Sequence, residues 1–231
     1  MRRLAIATIA LGIMMSLSCA AMAATETHPW DNYTTGPRWI DWTATASLPE
    51  FNDFGGTRTL LGVQIDLLSS ITLTVGLENL SDVASTMSFG LDVKTSIKKS
   101  GVELATGHEV KNESIDLAVR DGVLDWGGVA GHKWIYPTVP ITASPSPYIA
   151  PPSEFASYKG TGNISLDVSA VTNQWTPHSS NVGGMAAFYE ADVPTKVIIT
   201  YTYDPVPEPA SLLALGTGLI SLVGFALKRR A

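Results

Sequence analysis

The sequence predicts an all-β body, arranged as an antiparallel β-sandwich, with a hydrophobic helix at each end of the chain. Two observations predict the sandwich: apolar and polar residues alternate over short stretches, and turn-forming residues separate those stretches. A third observation sets the boundaries, because long uncharged apolar runs occur at the two termini. A closed β-barrel is the alternative that the same alternation allows.

Residues 1–23 have the three parts of a secretory signal peptide. Two arginines follow the first methionine, residues 4–17 are apolar, and Ala21 and Ala23 form a small-x-small cleavage site. This order is typical of a signal helix that is removed during export. We therefore expect the mature chain to begin at Ala24. Cys19 also leaves a lipoprotein signal open as an alternative.

Residues 24–205 carry the alternating pattern of β-strands. The predicted strand faces are Leu61, Val63, Ile65 and Leu67; Ile71, Leu73, Val75 and Leu77; Phe89, Leu91 and Val93; Ile115, Leu117 and Val119; Ile164, Leu166, Val168 and Ala170; and Val197, Ile199, Tyr201 and Tyr203. The β-branched composition of the last set predicts a strand in the middle of a sheet.

A proline-rich stretch interrupts the strands between Asp121 and Pro152. Proline has no N–H for a strand ladder, so it is excluded from central strands. The sequence therefore predicts a long irregular segment at this position.

The end of the chain combines three features in a fixed order. They are a short acidic motif, an uncharged apolar run and a basic end: Val206, Pro207, Glu208 and Pro209, then residues 210–227, then Lys228, Arg229 and Arg230. As an α-helix the apolar run spans roughly 27 Å, close to the thickness of a bilayer core. Clustered cations resist translocation, so we expect a transmembrane helix with the body on the outer side.

This C-terminal order resembles the PEP-CTERM sorting signal of Gram-negative bacteria that make extracellular polysaccharide. The resemblance implies that an exosortase, a membrane protease or transpeptidase, recognises the motif at 206–209 and removes the helix. It implies a protein held transiently in the inner membrane and then released to the cell surface or extracellular matrix. A permanently anchored surface protein is the alternative, if the helix is kept.

The body resembles the choice-of-anchor E domain family. The matching stretches are residues 48–52, 60–67, 77–81, 158–170 and 197–209. The tryptophan-rich stretch from Trp126 to Trp134 departs from the family pattern, and Tyr158 stands where phenylalanine is expected. The family implies a β-rich extracellular domain without an established enzymatic activity.

Composition argues against a nucleic-acid partner. The chain has 15 basic and 21 acidic residues, and the two terminal segments hold five of the basic ones and Glu208. The body therefore carries 10 basic and 20 acidic residues, a net charge of −10. Such a surface repels nucleic acid and anionic lipid. Cys19 is the single cysteine, so a body from which residues 1–23 are removed has no disulfide.

The sequence contains no local motif of a catalytic, metal or cofactor site. His108 and Glu109 begin like a metalloprotease helix, but Asn112 stands where the second histidine is needed. We therefore expect a non-catalytic surface or matrix protein without a cofactor, associated with extracellular polysaccharide. An envelope carbohydrate-active or hydrolytic enzyme, built from residues that only the fold brings together, is the alternative.

Four aromatic residues near the start of the body are candidate carbohydrate contacts: Trp30, Tyr33, Trp39 and Trp42. Aromatic faces stack on the C–H groups of sugars, while neighbouring polar side chains bond the hydroxyls. The alternative is that these rings cover one end of the hydrophobic core, because tryptophan is usually mostly buried.

Overall fold

The computed structural model describes residues 23–32, 40–145, 147–181 and 183–205. The predicted signal helix, the motif at 206–209 and the predicted transmembrane helix lie outside these residues. Within them the chain is mostly β-strand, and the paired strands are antiparallel. The all-β, antiparallel part of the predicted fold class is therefore confirmed.

The described residues form eleven strands and one 3-10 helix. The strands are β1 Ala24–Asp31, β2 Trp42–Pro49, β3 Arg58–Asn79, β4 Ser85–Lys99, β5 Val102–Leu117, β6 Gly131–Ile141, β7 Ala143–Ser144, β8 Tyr148–Ile149, β9 Asn163–Ser179, β10 Met185–Asp192 and β11 Thr195–Pro205. The 3-10 helix, Pro152–Tyr158, lies between β8 and β9.

The first sheet is built around β3, the longest strand. Strands β10 and β11 lie end to end along one edge of β3 and pair with it in the same register. Asp192 of β10 pairs with Thr72, and Thr195 of β11 pairs with Ser69. Strand β1 pairs with the outer edge of β11. On the other edge of β3 lie β6 and β8. Since β11 lies between β1 and β3, the prediction of a central last strand is confirmed.

The second sheet has the order β2-β9-β4-β5-β7. A two-residue turn joins β4 to β5, and both of its residues have positive φ angles, 50° at Ser100 and 81° at Gly101. Two positive φ angles define the type I′ turn, whose twist matches that of the flanking strands. The long β9 pairs first with β2 and then with β4, so it joins the two halves of the sheet.

The two sheets share one hydrophobic core. Alternate residues of β3, β4, β9 and β11 are buried in it, as the sequence pattern predicts. Fully burying one such aliphatic side chain contributes about 1.5–3 kcal/mol. The repeated period-2 pattern is therefore the main source of stability for the described body.

Two predicted core positions are wrong. A bulge in β3 leaves Leu61 between two paired residues, because Thr202 pairs with Gly62 and Tyr203 with Leu60. The extra residue reverses the alternation, so Leu60 is 5% exposed and Leu61 is 49% exposed. Val119 is also exposed, because β5 ends before it, at Leu117.

The proline-rich stretch contains a strand that the sequence did not predict. Strand β6 includes Pro137 and Pro140, and within the described chain its partner is β3 alone. Its pairing is irregular where Pro137 falls, between the pairs Tyr136–Leu73 and Val139–Ile71. The prolines are tolerated because an edge strand has one free edge for residues without an N–H. The expectation of no central strand here is thus confirmed, while that of an irregular segment is wrong.

Candidate functional site

Both termini of the described body leave the fold at the same place. Ala24, at the start of β1, pairs with Tyr203, and Pro205, at the end of β11, pairs with Arg58. We call this region the sorting end, defined as residues 24–26, 49–58 and 203–205. The signal peptide and the sorting motif predicted from the sequence are attached to these two neighbouring strands.

Arg58 is the central polar residue of the sorting end. Its Nη1 donates to Glu26 Oε2 at 2.8 Å, and its guanidinium lies 4.4 Å from the Phe54 ring centroid and 4.7 Å from that of Tyr203. Glu26 also binds His28 Nε2, at 2.8 Å through Oε1. Cation–π contacts and an ion pair thus connect β1, β3 and β11 just before the motif begins.

The loop that precedes Arg58 holds an aromatic ring out to solvent. Asn52 Oδ1 accepts the Phe54 N–H at 2.8 Å, and Asp53 Oδ1 accepts the Gly55 N–H at 3.0 Å. These turns place Phe54 in the left-handed region, with φ of 48°, and leave it 57% exposed. A positive φ is uncommon for a bulky residue. The loop therefore holds Phe54 in a backbone conformation that is unfavourable for a bulky residue, and it exposes an apolar ring to solvent.

Below this loop the sorting end is closed by buried rings. Phe51 packs 5.6 Å from Tyr201 and 5.5 Å from Tyr203, measured between ring centroids. The Tyr201 hydroxyl donates to the Pro49 carbonyl oxygen at 2.8 Å. Burial raises the pKa of Tyr201 well above its usual range, so the hydroxyl keeps its proton and remains a donor.

The opposite end of the molecule, the distal end, consists of residues 78–85 and 117–131. Asn79 is fully buried there, and its side chain bonds two loops. Nδ2 donates to the carbonyl oxygens of Val83 at 2.9 Å and Ala118 at 2.7 Å, while Oδ1 accepts the Ser81 N–H at 2.9 Å. One amide side chain thus satisfies three backbone groups that no strand ladder reaches.

Glu78, next to Asn79, is a buried carboxyl that sequence reasoning missed. It is 1% exposed, and its Oε2 accepts the Trp126 N–H at 2.9 Å. Burial raises the pKa of Glu78; the Trp126 bond opposes this rise, and Asp121 and Asp125 reinforce it. Its Oε1 has no hydrogen-bond partner among the described residues. A glutamate at the end of an apolar strand looks solvent-exposed in sequence, so no local signal indicates its burial.

The predicted carbohydrate contacts are divided between the two sheets. Trp42, on β2, belongs to the core and is 7% exposed. Trp30, on β1, is half-buried and packs against the core. Tyr33 and Trp39 lie outside the described residues. The sugar contact therefore stays a prediction, and Trp30 is its most accessible described member.

A second aromatic group lies between the sheets and was not anticipated. Phe89 of β4 lies 5.3 Å from Trp134 of β6 and 5.8 Å from Trp175 of β9, and Trp175 lies 4.9 Å from Tyr189 of β10. These residues are far apart in the chain, so only the pairing of four strands brings them together. Three of the rings are half-buried, which leaves part of each in contact with solvent.

Three of the surface hollows on the described body are lined by charged side chains. The first, about 540 Å³, contains Asp31 and Asp192; the second, about 410 Å³, contains Lys98 and Asp167; the third, about 610 Å³, contains Glu113 and His178. Glu78 lines none of them. Within residues 23–32, 40–145, 147–181 and 183–205, no group of three or more His, Cys, Asp or Glu residues could hold a metal ion.

The motif at 206–209 and the basic residues at 228–230 lie outside the described residues. In the part that is described, no helix has the length and apolar character needed to cross a bilayer. What the structure shows of the sorting signal is its attachment point, Pro205 at the end of a central strand.

Comparison with solved structures finds chains from structures of infectious bursal disease virus, with little likeness to this chain. The structure of the infectious bursal disease virus Gx strain aligns with 12% identity and a TM-score of 0.18, over 81% of this chain and 37% of the viral chain. The VP2 subviral particle of the same virus gives 12% identity and a TM-score of 0.18, over 80% and 37%. Scores this low establish neither a shared fold nor a shared function.

The sequence comparisons are informative only at the C-terminus. No curated protein matches the chain. A family model for the PEP-CTERM protein-sorting motif matches residues 205–230, the segment where the sequence predicts a sorting signal. The family model covers that segment and does not extend over the body, for which the choice-of-anchor E resemblance stays a prediction. The chain therefore carries the PEP-CTERM signal of an exported protein that is sorted by an exosortase.

Proposed function

We propose that this protein is a non-catalytic surface or matrix protein, released from the inner membrane by an exosortase and associated with extracellular polysaccharide. Its body is a β-sandwich of the choice-of-anchor E type. The observation that carries the proposal is the match of residues 205–230 to the PEP-CTERM sorting signal. This signal begins at the last residue of the final strand of a β-rich body.

The attachment of the motif supports a temporary anchor. Strand β11 is paired with β1 up to Tyr203 and with β3 up to Pro205, so strand pairing holds the chain to the last described residue. Only residues 206–209 then separate it from the apolar run, and two of these four are prolines. Proline favours an extended backbone, which suits a segment that must enter a protease site. Cleavage there would free the whole body and leave the hydrophobic run behind.

The sorting step is tested by the substitution Glu208→Ala in a host that has an exosortase. We expect the variant to be exported but to accumulate, unprocessed, at the inner membrane, because it loses the carboxylate of the proposed recognition motif. Glu190→Ala is the matched control, since Glu190 is an exposed glutamate of the body. Cell fractionation with intact-mass measurement separates the two results. Normal processing of Glu208→Ala would show that the motif is not what the protease recognises.

Polysaccharide association is tested by retention of the mature protein on the host's own envelope polysaccharide. We expect weak retention, since each stacked ring adds only about 1 kcal/mol beyond its buried area. Many copies together would still hold a matrix protein in place. Trp30→Ala should reduce retention without a comparable loss of stability, whereas Trp42→Ala should lower stability by about 3–5 kcal/mol. Lack of retention of the unmodified protein contradicts the proposal.

A hydrolytic enzyme is the second candidate, and one observation favours it. Asp31 and Asp192 line the same hollow, and glycoside hydrolysis uses two carboxyl groups. The same polysaccharide sample decides between the candidates. Release of new reducing ends, abolished in Asp192→Asn, would establish the enzyme; retention without release supports the matrix protein.

A further inference from the structure

The position of the two chain termini fixes which end of the body faces the membrane before processing. Residues 206–209 can span at most about 14 Å when fully extended. Pro205 therefore lies within about that distance of the apolar run when residues 210–227 are embedded, and the sorting end, to which Pro205 belongs, is the end of the body nearer the membrane. Ala24 lies beside Tyr203, so the signal peptide emerges at the same place.

The exposed large apolar residue of the sorting end is Phe54. Two side-chain turns hold its loop, and its ring is 57% exposed beside the Arg58 guanidinium. Phenylalanine, like leucine and tryptophan, is a side chain by which membrane-surface segments bury apolar area at the boundary between lipid headgroups and hydrocarbon. The unfavourable left-handed backbone at Phe54 is accounted for if the ring has such a partner.

We propose that the loop at 52–58 docks on the outer face of the inner membrane while the precursor is anchored, with Phe54 inserted among the lipid headgroups. This inference rests on the proposed function, because it requires residues 210–227 to act as a membrane anchor. The docked loop gives the anchored body one orientation. It thereby holds the motif at 206–209 at the membrane surface, where a membrane protease acts.

Charge indicates that the contact is apolar. Arg58 already forms an ion pair with Glu26, and Asp53 and Asp204 add negative charge to the same region. This region has no excess of cations to attract anionic lipid. We therefore expect docking on zwitterionic phosphatidylcholine, with little dependence on salt concentration.

The test uses the full chain reconstituted in phosphatidylcholine liposomes. Cys19 is the single cysteine, so Cys19→Ser gives a background in which Thr57→Cys carries one spin label. Thr57 lies in the docking loop and is exposed, and Phe54 stays in place. Val83→Cys, at the distal end and 59% exposed, is the matched control position. We expect collisions with a water-soluble nickel chelate to be several-fold fewer at position 57 than at position 83.

Two further variants test the role of the ring. Phe54→Asn, whose side chain tolerates the left-handed backbone, should restore nickel collisions at position 57 to the level of position 83. Phe54→Leu should keep the protection, because it keeps an apolar side chain. Unchanged circular dichroism of both variants establishes that they fold, and protection that survives Phe54→Asn overturns the role of Phe54.

The outcomes separate this inference from the proposed function. If the chain does not insert into the liposomes, the anchor is wrong and the docking is wrong with it. If it inserts but positions 57 and 83 are equally accessible, the anchor stands and the docking is overturned. Protection that requires added exosortase would assign the contact to the protease instead of the lipid.

Discussion

The sorting end and the distal end are closed by different interactions, although β3 runs from one to the other. At the sorting end, strand pairs and packed rings hold the structure: Arg58 pairs with Pro205, and Phe51 contacts Tyr201 and Tyr203. At the distal end, Asn79 and Glu78 bond the backbone of loops that have no strand partner. The first end depends on apolar packing and register, and the second depends on satisfied buried polar groups.

This difference follows from what each end must do with its backbone. At the sorting end, the termini of β1, β3 and β11 are paired with one another, and the side-chain bonds to the loop backbone at Phe54 and Gly55 are exposed to solvent. The distal end is made of loops, and buried loop backbone needs partners from side chains. Substitutions at the sorting end should therefore lower stability through lost packing. Substitutions at the distal end should lower it through unsatisfied hydrogen bonds.

Among substitutions that compare the two ends, the largest effect is expected from Leu60→Ala at the sorting end. Leu60 is buried beside Tyr203, whereas its neighbour Leu61 points away from the core. Removing the buried side chain should lower the free energy of unfolding by about 3 kcal/mol. Leu61→Ala is the matched control and should change it by no more than about 0.5 kcal/mol. Denaturant unfolding measures both, and equal losses would show that the bulge is absent.

A smaller loss is expected from Asn79→Ala at the distal end. The substitution leaves the carbonyls of Val83 and Ala118 and the N–H of Ser81 without their partner. We expect a loss of about 2 kcal/mol, since water can reach part of these loops. Asn163→Ala is the control, because Asn163 is exposed and makes one bond, to Ser47. Stability equal to that of the control would contradict the bonding role of Asn79.

The smallest effect is expected from Glu78→Gln, and it depends on pH. Burial raises the pKa of Glu78 above its ordinary value of 4.5, so the folded state binds more protons than the unfolded state. Stability from this group is therefore present at low pH and is lost as pH rises through the raised pKa. Glutamine cannot ionise and keeps an acceptor for the Trp126 N–H. The variant should thus lose less stability between acidic and neutral pH than the unmodified protein.

Thermal melting across this pH range measures the effect. Glu190→Gln, at an exposed site, should keep the pH dependence of the unmodified protein. If Glu78→Gln has the same pH profile as this control, ionisation of the Glu78 carboxyl does not contribute to the pH dependence of stability.

The sequence by itself determined most of the strand faces and the sorting signal. Phe89, Leu91 and Val93 are buried as their spacing predicts, because period-2 alternation is a local property of the chain. The sorting signal is recognisable for the same reason, since its three parts are contiguous within residues 205–230. The placement of β11 inside a sheet also followed from local composition.

Other features were decided by the tertiary structure alone. The burial of Leu60 in place of Leu61 depends on the pairing register between β3 and β11. Strand β6 tolerates its prolines because, within the described chain, only one of its edges is paired, with β3. The burial of Glu78, which bonds Trp126, and the contact of Arg58 with Tyr203 depend on segments that arrive from distant parts of the chain. A bulge, an edge and a loop contact each arise from a partner strand or loop, and no residue pattern within one segment encodes that partner.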